Sequence, residues 1–470
     1  MTRAFTHCAR PGRVGMVTSA PQAWLRSELR GDGHLLSVPR VLVVALSDDR
    51  IGSLCRGLDS LGWRTMTARS GGAAIAALTD FTLEAAVIDA DHPEAGALPE
   101  ALRLAAGARR LPVVSIGSVT AGDGVDLAMA EAPHPTQLGL RLEQLVRAAI
   151  TEEEFRLRRQ TLAVHGTTLD PGEPDPSPLR ILIAGAPDHR FIGLSNTLTE
   201  AGAEIVAAPT PYTAFDYLHE SAFDAAVLWG APDHAPALSI ASGMKRNTRL
   251  YHIPLALYLR SEGEINLGEL YNRGFSEVAA ASTPEPDIAA RVLALAQTHR
   301  RHLAIRRALE GARGSGVMDP TTGLFTPTLF ASHLGRVADA ATARRRPLSV
   351  CVLKVSETET LTHARRGGWL DRAMPQIGAM VSRLVRVEDT AARLAPEVFA
   401  LALPATPGVA ARLAAERIAA VIGCTAFDAG PDRSPFVVEF RVGVAELMPG
   451  ESAGAVLERA STDLHAARVA

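Results

Sequence analysis

The chain has 470 residues, 51 acidic and 48 basic side chains, a net charge of -3 and 47% hydrophobic content. That length asks for two to four domains, each with its own core, and the apolar content argues for globular structure. The near-neutral balance excludes a strong field for nucleic acid or an anionic membrane, and no apolar run reaches membrane-spanning length.

Only Lys245 and Lys354 are lysines, so arginine is a weak signal at any single position. Cys8, Cys55, Cys351 and Cys424 lie far apart and form no C-x-x-C, which fits free thiols in a reducing cytoplasm. The N-terminus lacks a signal peptide's apolar core. Residues 1–38 mix Gly, Pro, Arg and His and read as a disordered extension, with Met16 an alternative start.

From Arg40 the texture changes. RVLVVAL, RTMTA, EAAVIDA and LPVVSIG read as strands, with the amphipathic segments DRIGSLCRGLDSLG and GGAAIAALTD between the first three of them. Such alternation implies a parallel sheet covered on both faces, with a site at the carboxyl ends of its strands. Residues 39–165 resemble a response-regulator receiver domain of flavodoxin-like fold. The resemblance implies a Mg²⁺-holding acidic pair, a phosphoacceptor Asp, a hydroxyl and a Lys. These map to Ala45 and Leu46, Asp89, Gly117 and the Ala132 region, so only Asp89 is retained, as a candidate phosphoacceptor. Without metal ligands it is a poor one. Asp48 and Asp49 are the alternative ligands.

Leu138 to Val164 reads as one long helix, and residues 166–178, with Gly172-Glu-Pro-Asp-Pro-Ser-Pro, as a linker. A second copy of the α/β pattern follows over residues 179–300, a repeat near 140 residues that means tandem domains. Here the receiver positions map to Gly185, Ala186, Trp229, Leu259 and Ala281, which excludes phosphorylation. The resemblance then implies a dimerisation or docking module. Trp229 and Tyr258 either mark its surface or fill the vacated acidic pocket. A helix from Asp287 to Ala312 carries the chain through a connecting segment, 301–316, into the last region, 317–470.

Within that region Arg386 to Phe399, RVEDTAARLAPEVF, reads as a polar turn, a short strand, a tight reversal and a second strand. An Arg and an Asp three apart on a turn can read guanine from two sides, the Arg fork on the O6/N7 edge or a phosphate and the Asp on the N1/N2 donors. The plain alternative is a surface ion pair. Two features distinguish them: Asp319-Pro-Thr-Thr-Gly-Leu opens the region, and five residues, TAARL, separate Asp389 from Ala395, Pro396, Glu397, Val398 and Phe399.

Both features resemble the GGDEF family of diguanylate cyclases, where an R-x-x-D inhibitory site precedes the signature by that offset. The family resemblance implies an α+β fold with a largely antiparallel sheet. It also implies that the signature is degenerate here, with only the acid Glu397 kept. Lys354 and Ser356 map to the two metal-binding acids, Thr362 and Asp371 to the guanine contacts, and Arg468 to a phosphate-side Lys. Two metals are needed to activate the 3′-hydroxyl, and a cation among their ligands defeats this. By the same resemblance Arg417 completes the inhibitory site with Arg386 and Asp389.

The order receiver, receiver, GGDEF resembles the PleD-like family of regulators, and retention of the inhibitory site alone resembles its PopA-like branch. The implied function is a catalytically inactive cyclic di-GMP effector that needs no metal. It would be a cytoplasmic homodimer paired through its receivers, placed at a cell pole, that recruits proteolytic adaptors or substrates during the cell cycle. A nucleotide-independent dimerisation scaffold and a residual cyclase remain the alternatives.

Overall fold

In a computed structural model of the chain, the described residues are 39–466 except 50, 118–123, 130–132, 171–172, 231–233, 248, 261–265, 313–315 and 431–432. The expected extension over residues 1–38 lies outside them.

The first unit contains β1 (Arg40–Val44), α1 (Gly52–Ser60), β2 (Arg64–Ala68), α2 (Gly71–Asp80), β3 (Ala85–Asp89), α3 (Leu98–Ala106), β4 (Val113–Ile116), β5 (Leu127–Met129) and α4 (Pro135–Val164). Unbroken apolar runs such as Val41 to Val44 are buried on both faces, as a parallel sheet requires. The strand order β2-β1-β3-β4-β5 is that of a flavodoxin-like winding, and it puts Asp89 at a strand's carboxyl end.

The second unit repeats this plan with β6 (Arg180–Ala184), α5 (His189–Glu200), β7 (Glu204–Ala208), α6 (Pro211–Glu220), β8 (Ala225–Trp229), α7 (Ala235–Arg246), β9 (Leu255–Tyr258), α8 (Leu267–Asn272), β10 (Glu277–Ala279) and α9 (Glu285–Gly311). Its order, β7-β6-β8-β9-β10, is equivalent.

Helices α4 and α9 decide how the units meet. At 30 residues α4 is roughly 45 Å long, more than one sheet can cover. Its first turns, at Leu138 and Leu142, close the first unit's core, and Ile288 and Val292 of α9 close the second's. Further on, Phe155, Leu162, Ile305 and Ala308 join Phe330, Leu334 and Val337 of the third unit in one core. Leu169, in the stretch expected as a linker, is buried there too, and Arg300 holds the carbonyls of Asp175 and Pro178. Glu277, fully buried on β10, is enclosed by Arg141 of α4 and Arg291 of α9 at 3.5 and 3.6 Å.

The third unit is a four-stranded antiparallel sheet in the order β12-β13-β11-β14, made of β11 (Leu348–Val355), β12 (Thr390–Ala395), β13 (Val398–Pro404) and β14 (Phe440–Glu446). Side chains alternate along β11. Val350 and Val352 face the core shared with α4, α9, α10 (Pro327–Arg344) and α14 (Ala453–Ala466), whereas Cys351, Leu353 and Val355 face α11 (Glu359–Arg366), α12 (Trp369–Leu384) and α13 (Gly408–Gly423).

The β12–β13 hairpin closes through Pro396 and Glu397, with Ala395 paired to Val398. Pro396 cannot take the positive φ that a close reversal often uses. The reversal forms without one: no residue from Ala395 to Val398 has a positive φ, and an irregularity between Arg393 and Ala395 supplies the bend. Arg393 fastens the tip, donating to the Pro396 carbonyl at 2.9 Å and pairing with Asp319 at 3.4 Å.

Candidate functional site

Helix α12 ends at Leu384, and the chain turns through residues 385–389 before entering β12. The turn is closed reciprocally. The Arg386 amide donates to Asp389 Oδ2 at 2.9 Å, and the Asp389 amide donates to the Arg386 carbonyl at 3.2 Å. One Asp389 oxygen therefore works within the turn, while Oδ1 is buried without a hydrogen-bond partner.

Burial here comes from α4. Thr151 Oγ1 donates to Glu388 Oε2 at 3.3 Å, and Arg158 Nη2 donates to the Asp389 carbonyl at 2.6 Å. Asp389 is left 7% exposed and Glu388 5%. Burial raises the Asp389 pKa, the Glu388 charge raises it further, and Arg386 and Arg158 oppose the rise. Burial likewise pushes Glu154 of α4 up to about 7, against the pull of Arg158. Arg147, also on α4, has its pKa lowered by burial and then by the Arg386 charge. The turn thus meets two arginines of α4 that sequence reasoning did not single out. Arg386 is half-buried, whereas Arg417 is exposed on α13 with no hydrogen bond or ion pair to either turn residue.

A second cluster lies at the other end of the hairpin. Glu397 is held by Arg365 of α11 through two bonds of 2.6 Å, and Arg365 also donates to the Ser356 carbonyl. Beside them a cleft of about 180 Å³ is lined by Lys354, Val355, Ser356, Glu357 and Arg441. An ammonium at its wall and a carboxylate already satisfied by a guanidinium do not fit a divalent cation, which wants several free oxygens. Phe399 is fully buried under the sheet.

Thr362 and Asp371 do not line the cleft. The Thr362 hydroxyl donates to the Thr358 carbonyl of its own helix, and Asp371 is exposed in the first turn of α12. Nearby, Arg433 lies over the Trp369 ring at 4.3 Å and meets His363 at 2.7 Å. Arg468 and Ala132 lie outside the described residues.

In the first unit Asp89 accepts from the Asp91 amide, and Asp48 is paired with Arg69 at 2.5 Å. In the second, Trp229 and Tyr258 are 3% and 1% exposed. Their rings meet edge-on at 4.4 Å, Phe191 abuts Trp229, and Arg260 covers it at 5.4 Å. They fill the strand-end pocket and mark no surface.

Residues 316–470 match the family model described as diguanylate cyclase, GGDEF domain. The third unit is a GGDEF domain. Among solved structures the chain is similar to the GGDEF domain of DgcB from Caulobacter crescentus, crystallised in complex with c-di-GMP, at 22% identity over 33% of this chain and 88% of that one, with a TM-score of 0.31. It is also similar to the FimX GGDEF domain from Pseudomonas aeruginosa, at 20% identity over 32% and 93% with a TM-score of 0.30. A third is the diguanylate cyclase SiaD of Pseudomonas aeruginosa in complex with its activator SiaC, at 23% identity over 38% and 75% with a TM-score of 0.30. No curated protein matches the chain. No helix among the described residues is long and apolar enough to cross a membrane.

Proposed function

We propose that the chain is a cyclic di-GMP receptor without cyclase activity, in which Arg386 and Asp389 of the GGDEF domain bind the dinucleotide with Arg417. The observation that carries this reading is a contrast within one hairpin. The R-x-x-D turn keeps its offset and its buried, unpartnered Asp389 Oδ1, while at the other end Lys354 stands where a metal acid belongs and Glu397 is tied to Arg365. A cyclase needs free carboxylates to hold two ions against GTP.

In this reading the two α/β units are receivers, the second too altered to be phosphorylated, and the chain follows the PopA-like plan. Because α4 covers the turn, ligand binding must bias α4 between docked and displaced positions, and that shift is the output. Homodimerisation through the receivers, a polar location and delivery of proteolytic adaptors or substrates follow from the same resemblance.

The second reading, a nucleotide-independent scaffold, is favoured by one feature: Asp389 is used to close its own turn and lies under α4. Calorimetric titration with cyclic di-GMP separates the two. The receptor reading expects micromolar or tighter binding, lost in Arg386→Ala with the fold intact, and no product from GTP and Mg²⁺. Absence of binding leaves the scaffold, and product formation would restore the cyclase.

A further inference from the structure

Helix α13 is apolar on two faces. Ala411, Ala415, Ile418 and Ile422 pack against the sheet, which is the burial a surface helix needs. The opposite face should then be polar, yet Val409, Leu413, Ala420 and Cys424 follow one another along it, with Val421 beside them. Val409, Leu413 and Val421 are 40%, 41% and 41% exposed with every described element of the chain in place. An apolar row of this kind marks a contact surface. Two charges line one flank of the row. Arg412 donates from Nη2 to Asp463 at 2.6 Å, and its Nη1 lies 3.9 Å from Glu416. With side chains 40% and 53% exposed, that pair within the helix is weak, and both charges remain available to a better partner.

From this pattern we infer that α13 is a contact between two copies of the chain, paired antiparallel about a two-fold axis that passes Ala414. The charges select that register. In an antiparallel pair each flank of a helix meets the same flank of its mate, and the symmetry makes every contact occur twice. An axis at Ala414 sets Glu416 against Arg412 of the second copy and Leu413 beside its own copy. It also sets Val409 beside Ala420, whose small side chain lets the helices approach. An axis two residues away in either direction would set Glu416 or Arg412 against itself, and like charges so placed repel. Arg417 lies on the other flank, opposite Ala410, where its guanidinium stays in water. The helix has 16 residues and is about 24 Å long. A face of that length and one helix wide buries less than the roughly 800 Å² per partner of a stable complex, so the pairing is weak and depends on concentration. It is distinct from homodimerisation through the α/β units, whose facing sides already enclose Glu277 between Arg141 and Arg291 within one chain.

The test is sedimentation velocity of the full chain without nucleotide, over a concentration series, beside Leu413→Glu, Glu416→Arg and Arg386→Ala. The parent should pass from monomer to dimer as concentration rises. Leu413→Glu should weaken the dimer roughly tenfold or more, and Glu416→Arg, which brings a cation against Arg412 of the second copy, should weaken it too. Both change exposed side chains, so the Tm should hold, which separates lost pairing from lost fold. Arg386→Ala should dimerise as the parent does, so the contact stands or falls apart from the cyclic di-GMP reading. Cysteine cross-linking reads the direction of the pair. In a background with Cys8→Ser and Cys424→Ser, Leu413→Cys should give a disulfide-linked dimer with diamide, which takes up the two thiol hydrogens. Cys424 in a Cys8→Ser chain, at the far end of the helix, should give none. A chain that is monomeric at every concentration leaves the face to a different protein and overturns the proposal. A dimer indifferent to Leu413→Glu assigns the pairing to another surface, and cross-linking through Cys424 makes the helices parallel; either result overturns it as well.

Discussion

Arg365 illustrates what one side chain does to a signature. Its guanidinium lies 32 residues before Glu397 in sequence yet meets both carboxylate oxygens, and each partner is about a quarter exposed. A bidentate charge-assisted pair of this kind exceeds an ordinary surface bridge, but solvent screening discounts it. Arg365→Ala should therefore lower stability by about 1 kcal/mol, read as a shift of the urea midpoint at unchanged slope. A neutral result would mean that water replaces the arginine without loss. At this scale the sequence was partly legible. Lys354 and Glu397 could be placed by their offset from Arg386, but Arg365 and Arg441 could not be singled out in a chain where nearly every cation is Arg. Trp229 was expected in sequence either to mark a surface or to fill a strand-end pocket. Its burial against Phe191 and Tyr258 needed the fold.

Among the elements, α4 carries a property its sequence hides. Its run Glu152-Glu-Glu-Phe-Arg-Leu-Arg-Arg read in sequence only as the continuation of one long helix, with nothing to mark a buried face. In the fold Glu153, Glu154 and Arg158 are buried against the GGDEF domain. Strand and helix alternation exposed the two parallel sheets, since periodicity is a local property. Docking of α4 is tertiary and left no local trace.

Docking has a pH dependence whose sign is fixed. Glu154 titrates near 7 when docked, against 4.5 in the open chain, and Asp389 is raised in the same direction. Raised carboxyl groups bind more protons docked than undocked, so docking is most stable at low pH and weakens as pH rises from about 4.5 through 7. The groups facing this pair are Arg386 and Glu388 of the turn, Arg147, Glu153 and Arg158 of α4, Arg344 of α10 and Cys351 of β11. Amide exchange over residues 386–390, corrected for the intrinsic rate, should lose protection between pH 6 and pH 8, and Glu154→Gln should flatten the change. Protection that grows with pH would reverse the assignment.

For the whole molecule, the joint between the first α/β unit and the GGDEF domain contains, beside the apolar contacts of α4, a buried ionic network. Glu153 of α4 meets Arg346 at 2.7 Å and Arg344 at 3.5 Å, and accepts from the Arg110 amide at 2.7 Å; Arg346 also reaches Glu84 at 3.0 Å. Such a network specifies arrangement more than it adds stability, and removing one member leaves the others buried and unpaired, at about 3–5 kcal/mol. Glu153→Gln should therefore loosen the joint without unfolding either core: the scattering radius of gyration rises while far-ultraviolet dichroism stays constant. The consequence for ligand binding follows from population arithmetic. If the R-x-x-D turn must shed α4 before binding, apparent affinity is the intrinsic one reduced by the fraction undocked. A loosened joint raises that fraction, so Glu153→Gln should bind cyclic di-GMP more tightly than the parent chain. Weaker binding would mean instead that Arg147 and Arg158 of α4 belong to the binding surface, and that the docked arrangement is the one the ligand selects.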